Sequence, residues 1–140
     1  MIAFLTPEAI TRAVRARFAR FAPGETLLSD WLTTEVSSAL SAKVRIGTLT
    51  LSQRATALAA YQRMFLDNHI VLSVTASDFR AAARFADRHD LGLRASDALH
   101  LAIATEHRST VLTLDRRLHT ACLALGHPVE TVRGALDGEM

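Results

Sequence analysis

"LRASDALHLAIATEHRSTVLTLDRRL", residues 93–118, is the stretch whose reading decides the fold. Apolar residues recur at helical spacing through "LRASDALHLAIA", with Ser96 and Asp97 at the start of that pattern, and the helix runs to about His107. "TVLTL" (110–114) then reads as a short strand, Asp115 follows it at once, and a further helix covers roughly Arg116 to Leu125. The ordinary role of Ser and Asp at a helix start is capping, because their oxygens accept hydrogen bonds from the free amides of the first turn. A chemical role for Asp97 needs other carboxylates, distant in the chain, to arrive at the same place.

The same alternation extends in both directions. Residues Thr6 to Phe21 place Ile10, Val14 and Phe18 on one helical face with Arg12, Arg15 and Arg20 elsewhere, and "PGE" (23–25) ends that helix. "TLLS" (26–29) is a buried strand, followed by a helix from about Leu32 that stops at Gly47. A helix capped by Ser52 spans roughly 52–67, "IVLSV" (70–74) is a strand, and a helix runs from about Ala76 to Arg88. "PVETV" closes the series as a last strand. Strands alternating with helices predict an α/β fold with a parallel sheet covered on both faces, three layers in all.

Length and composition agree. A chain of 140 residues suits one domain, residues 1–140, and can bury a core; 49% hydrophobic with 21% charged residues excludes a disordered chain. No apolar run is long enough to span a membrane, and "MIAFLTPEAI" lacks the basic and apolar regions of a signal peptide, so the expected location is the cytoplasm and no membrane partner is expected. The lone Cys122 excludes an internal disulfide and a cysteine-rich zinc site. The net charge is only +2, yet Lys43 is the single lysine among the basic residues. Arginine's planar fork suits phosphate, although a GC-rich genome would favour the same codons.

Ligands of parallel sheets gather outside the carboxyl ends of the strands. Asp115 lies immediately after "TVLTL", Glu35 lies in the first turns of the helix after "TLLS", and Asp97 opens the helix before the Asp115 strand. Carboxylates brought together repel unless protonated or joined by a cation. Mg²⁺ and Mn²⁺ prefer such oxygen ligands, and a metal of this kind activates water for attack on a phosphodiester, which points to a nucleic-acid substrate. Capping or solvation is the ordinary fate of scattered acids, and Asp78 and Asp87 read as structural.

Taken in order, "LLSDWLTTEVSSAL", "LRASDALHLAIA" and "VLTLDRRL" resemble the PIN-domain ribonucleases, specifically the VapC-like toxins of type II toxin–antitoxin pairs, over about residues 24–130. The resemblance implies a three-layer α/β/α fold with a central parallel sheet. It assigns Glu35, Asp97 and Asp115 to the acids that hold Mg²⁺ or Mn²⁺ for RNA cleavage, and it implies a VapB-like antitoxin partner and a homodimer. Ser96 and Thr113 correspond to polar neighbours of the carboxylates or of metal-bound water, with capping an equal reading for Ser96. Arg116 and Arg117 either reach RNA phosphates or lie on a solvated face. His100, three residues after Asp97, reads as packing.

The chain departs from the family pattern at its beginning. PIN domains of this kind open with an apolar strand ending in Asp, and no Asp precedes Asp30 here. With "IAFL" as that strand, Leu5 takes the acid's position and Glu8 is the nearby substitute. In the preferred register, "IAFLTPEAI" matches the end of the family's first helix, since "TPE" before "RAVRARF" resembles the junction of its first two helices, and the first strand is absent. A start assigned too late, a degenerate relative or a rearrangement at residues 2–5 would each produce this. The expectation is a metal-dependent endoribonuclease toxin in which three carboxylates bind one divalent ion more weakly than four. The alternatives are an inactive PIN-like protein that binds RNA or an antitoxin without cleavage, and an unrelated α/β domain such as a small phosphatase or receiver.

Overall fold

The computed structural model describes residues 1–132, which form two compact units, Met1–Ser73 and the chain from Val74 on. The first unit contains α1 (Ile2–Leu5), α2 (Thr11–Phe18), β1 (Leu27–Ser29), α3 (Asp30–Arg45), α4 (Leu51–Tyr61), a π-helical turn (Gln62–Leu66) and β2 (Ile70–Leu72). The second contains α5 (Ala76–Asp87), a 3₁₀ turn (His89–Leu91), α6 (Ala95–Glu106), β3 (Val111–Leu112), α7 (Arg116–Leu125) and β4 (Val129–Glu130). Strands alternate with helices and pair in parallel, so the α/β class is the one that folds. The parallel pairing takes the form of a two-stranded sheet in each unit: Leu27 opposes Ile70 and Ser29 opposes Leu72, while Val111 opposes Val129.

The amino-terminal helix differs from the sequence reading. Thr6 precedes Pro7, whose ring disfavours a helical residue before it, and Thr6 is extended at φ −125°, ψ 150°. Its hydroxyl donates to the Ile2 carbonyl at 3.1 Å, and the Thr11 hydroxyl donates to the Thr6 carbonyl at 3.0 Å. These bonds close a turn between α1 and α2, so the helix begins at Thr11 and ends at Phe18, well before "PGE". Residues 2–5 are helical rather than a strand, and among the described residues no strand precedes Leu27.

Aromatic rings build the core of the first unit. Phe65 is 2% exposed and meets Phe4 edge-on at 4.9 Å and Phe18 at 5.5 Å, with Tyr61 and His69 stacked at 5.9 and 5.4 Å. Such pairs contribute about 0.5–1.5 kcal/mol each beyond the area they bury. Phe65 sits in the π-helical turn that continues α4, where the wider winding departs from ordinary helix spacing. A plain helix over 52–67 was the expectation; the cap too differs, since Thr50, not Ser52, forms a reciprocal capping box with Gln53 at 3.1 and 2.8 Å. From α3, Thr33 is hydrogen-bonded to the Tyr61 hydroxyl at 3.1 Å, tying α3 to α4. Gly47 ends α3 as expected: at φ +81° it adopts the left-handed form, and the amides of Gly47 and Thr48 donate back to Val44 and Lys43.

Aliphatic and small residues fill the second unit. Leu101, Ala104, Val111, Leu118 and Cys122 form one buried cluster, with Phe85, Leu93, Leu125 and Val129 packed around it. Burial pushes the Cys122 thiol above its ordinary pKa, in keeping with a packing role. α5 is fixed by a capping box in which Thr75 and Asp78 exchange bonds, and Asp78 is buried at 3% exposure, so the structural reading of that acid is the right one.

Candidate active site

Asp115 follows β3 at its carboxyl end because two residues of strand give way to a helix start there. It is the N-cap of α7: its Oδ1 accepts the amide protons of Arg117 at 2.8 Å and Leu118 at 3.0 Å. The Asp115 amide in turn donates to the Thr113 hydroxyl at 3.0 Å, and the Thr113 amide donates to the Glu130 carbonyl at 3.1 Å. This chain of bonds holds the exposed Asp115 carboxylate beyond the end of β3 through its Oδ1. Thr113 therefore positions the acid through the backbone.

Asp97 lies in the first turn of α6, half-buried, with Ser96 before it. The N-cap position of that helix belongs to Arg94, which makes no side-chain cap bond, so neither Ser96 nor Asp97 is the cap. A carboxylate in a first turn is nonetheless favoured by the helix dipole. The 3₁₀ turn that leads into α6 packs against α7, and a Cβ placed on Gly92 would lie 3.8 Å from Arg117 Cδ. Arg117 thus rests against the loop preceding α6, beside exposed Arg116.

Glu35 is half-buried in the second turn of α3, a helix whose start is capped by Ser29, the last residue of β1, through the Leu32 amide at 3.3 Å. Burial lowers the pKa of the Met1 amino group, and the negative charges of Glu8 and Glu35 oppose that shift, so both acids act on one spot in the first unit. Glu8 is not a spare carboxylate there. Its Oε1 lies 3.0 Å from Lys43 Nζ, and to hold a metal it would have to give up that ion pair. Sequence reading named Glu8 as a substitute acid but had no signal for the lysine two turns along α3 from Glu35.

Among the described residues, no three His, Cys, Asp or Glu side chains are grouped so as to hold a metal ion. Asp115 and Asp97 occupy the second unit, one at a strand end and one in a helix's first turn; Glu35 occupies the first. The donors are carboxylate oxygens throughout, which suits Mg²⁺ or Mn²⁺ in kind, and Mg²⁺ takes one or two carboxylates and fills its other positions with water and phosphate oxygens. No described helix is long and apolar enough to cross a membrane.

Residues 1–122 match the family profile of the PIN domain. No curated protein matches the chain.

Proposed function

Because the chain belongs to the PIN-domain family, whose members are generally metal-dependent nucleases that act on nucleic acid and typically use Mg²⁺ or Mn²⁺, we propose that it is an endoribonuclease in which Asp97, Asp115 and Glu35 are the metal-holding acids. The observation that carries this reading is the state of Asp115: one oxygen is anchored by two helix amides and the carboxylate is exposed at the end of a parallel strand. A carboxylate held in this way loses little freedom on meeting a cation. When bound, the ion supplies a water nucleophile at neutral pH and stabilises the leaving oxygen. Thr113 holds the loop that presents Asp115, and Arg116 and Arg117 offer guanidinium forks to RNA phosphate beside it. The family match runs through both units, which supports treating residues 1–140 as one PIN domain.

The toxin role, a VapB-like antitoxin, a homodimer and a cytoplasmic location belong to the same proposal and rest on the likeness of "TEV", "SDALHL" and "LDRRL" to VapC-like toxins. Growth arrest on induction, relieved by Asp115→Asn, is the outcome expected of a toxin. A second reading, a PIN-like protein that binds RNA or an antitoxin without cutting, is favoured by the lack of a three-acid group among the described residues.

The deciding experiment is Mn²⁺-dependent cleavage of a structured RNA by the full chain, beside Asp97→Asn, Asp115→Asn and an EDTA control. Cleavage lost in all three controls supports the nuclease. A folded parent chain that leaves the RNA whole overturns it in favour of the second reading.

A further inference from the structure

α2 and the turn after it carry four arginines, Arg12, Arg15, Arg17 and Arg20, and no acid lies between Thr11 and Phe21. At about 3.6 residues per turn, Arg12, Arg15, Ala16 and Ala19 share the side opposite Val14 and Phe18. Exposure follows this division: Arg12, Arg15, Ala16, Ala19 and Arg20 are exposed, while Val14 is 3% exposed.

Two of the guanidinium groups are held in place from within. Arg15 Nε donates to the Phe4 carbonyl at 3.0 Å with the group 5.4 Å from the Phe4 ring centre, and Arg17 lies 4.4 Å over Phe21. The Arg15 bond uses Nε alone, so both terminal nitrogens stay available. Arg12 and Arg20 have no carboxylate partner among the described residues. Beside Arg12 and Arg15 lies an open recess of about 450 Å³, shared with Pro7, Ala9 and Thr11; Glu8 also lines it, with its charge matched by Lys43 at 3.0 Å.

We infer that this arginine face, built from residues other than the acids proposed to cut, is a docking surface for the phosphodiester backbone of RNA. The inference rests on the nuclease reading for its choice of polyanion. Charge complementarity carries it: several forks on one short helix and the turn after it, with no acid among them and the neighbouring Glu8 matched by Lys43, suit a chain of regularly repeated phosphates. Small Ala16 and Ala19 between the forks let a backbone approach closely. A membrane surface is the poorer match, because an amphipathic helix binds bilayers through its apolar face and here that face is committed inward, with Phe18 packed on Phe4 at 5.6 Å and on Phe65 at 5.5 Å.

The test is fluorescence anisotropy of a labelled single-stranded RNA with the full chain in EDTA, where cutting is suppressed, across a salt series. Arg12→Ala/Arg20→Ala is compared with Arg80→Ala, which removes an exposed charge on α5. The double variant should bind more weakly, and the slope of log K against log salt should shrink by about 1.4, near 0.7 for each lost phosphate contact. Arg80→Ala should leave both unchanged. Equal affinity in parent and double variant overturns the inference, as does an equal loss with Arg80→Ala. A double variant that loses only polyglutamate or anionic vesicles, while keeping RNA, overturns it too. Binding that depends on Arg12 and Arg20 in a chain that never cleaves would remove the nuclease reading and keep this one; cleavage by a chain indifferent to them would do the reverse.

Discussion

The two units bury their interiors by different means. The first converges on one ring, Phe65, touched by residues from α1, α2, α4 and the approach to β2; the second packs Leu, Ala, Val and Cys from α6, β3 and α7. A core centred on one large ring depends on a single position, whereas a core of many small contacts spreads the load. The proposed functional residues do not follow the same split: the arginine face and Glu35 belong to the first unit, Asp97 and Asp115 to the second.

Phe65→Ala is the strongest way to break the comparison. Emptying the centre of the aromatic cluster should cost about 3–5 kcal/mol, read by urea unfolding with Trp31, the only tryptophan, reporting on the first unit. Leu101→Ala, at a fully buried position of the second unit, should cost about 2–5 kcal/mol. If residues 1–140 unfold as one domain, both variants displace the same transition whether followed by fluorescence or far-ultraviolet dichroism. Separate transitions, with Leu101→Ala invisible to Trp31, would divide the chain in two.

A smaller effect sharpens the account of Asp115. Asp115→Ala removes the cap of α7 and should destabilise by about 0.5–2 kcal/mol, while Asp115→Asn, an equally good cap, should hold the stability and lose the negative charge. Equal stability of the two variants would show that the cap contributes nothing. The smallest effect concerns pH. Burial raises the Tyr61 pKa, opposed by its bond to Thr33 and assisted by Asp30. A raised folded-state pKa means stability that is intact below the ordinary tyrosine value, near 10, and falls as pH rises through the folded one. Thermal melts should therefore weaken on the alkaline side, and Tyr61→Phe should flatten that limb; an unchanged limb would assign the loss to another group.

Much of this molecule was legible in its residues, for reasons that differ by position. α7 was read at the limits the structure gives it, Arg116–Leu125, and the stop of α3 was legible because Gly47 supplies a left-handed residue. The strand "TLLS" was readable as an apolar run between turn residues, and it pairs in parallel as Leu27–Ser29. The first helix was not, since Ile10, Val14 and Phe18 keep helical spacing across a segment that Pro7 and two threonine bonds divide. The π-helical turn was equally hidden: its reason is the packing of Phe65 against Phe4 and Phe18, far away in the chain. At the candidate site, the placing of Asp115 after its strand was visible from the alternation of elements, but capping was expected of Ser96 and Asp97 in α6 and is instead made by Asp115 in α7. The pairing of Glu8 with Lys43 had no local signature, because it joins the turn before α2 to the far part of α3.

The parallel register carries a consequence for the order of assembly. The crossover from β1 to β2 is more than twice as long as that from β3 to β4. Closing a loop grows harder with its length, by about 0.6 kcal/mol for each doubling, so the second strand pair closes at the lower entropic cost. Synthesis delivers them in the opposite order. On a ribosome Leu27–Ser29 emerges early and stays without its neighbour until α3, α4 and the turn holding Phe65 have followed, a waiting period in which an unpaired apolar strand is open to the wrong partner.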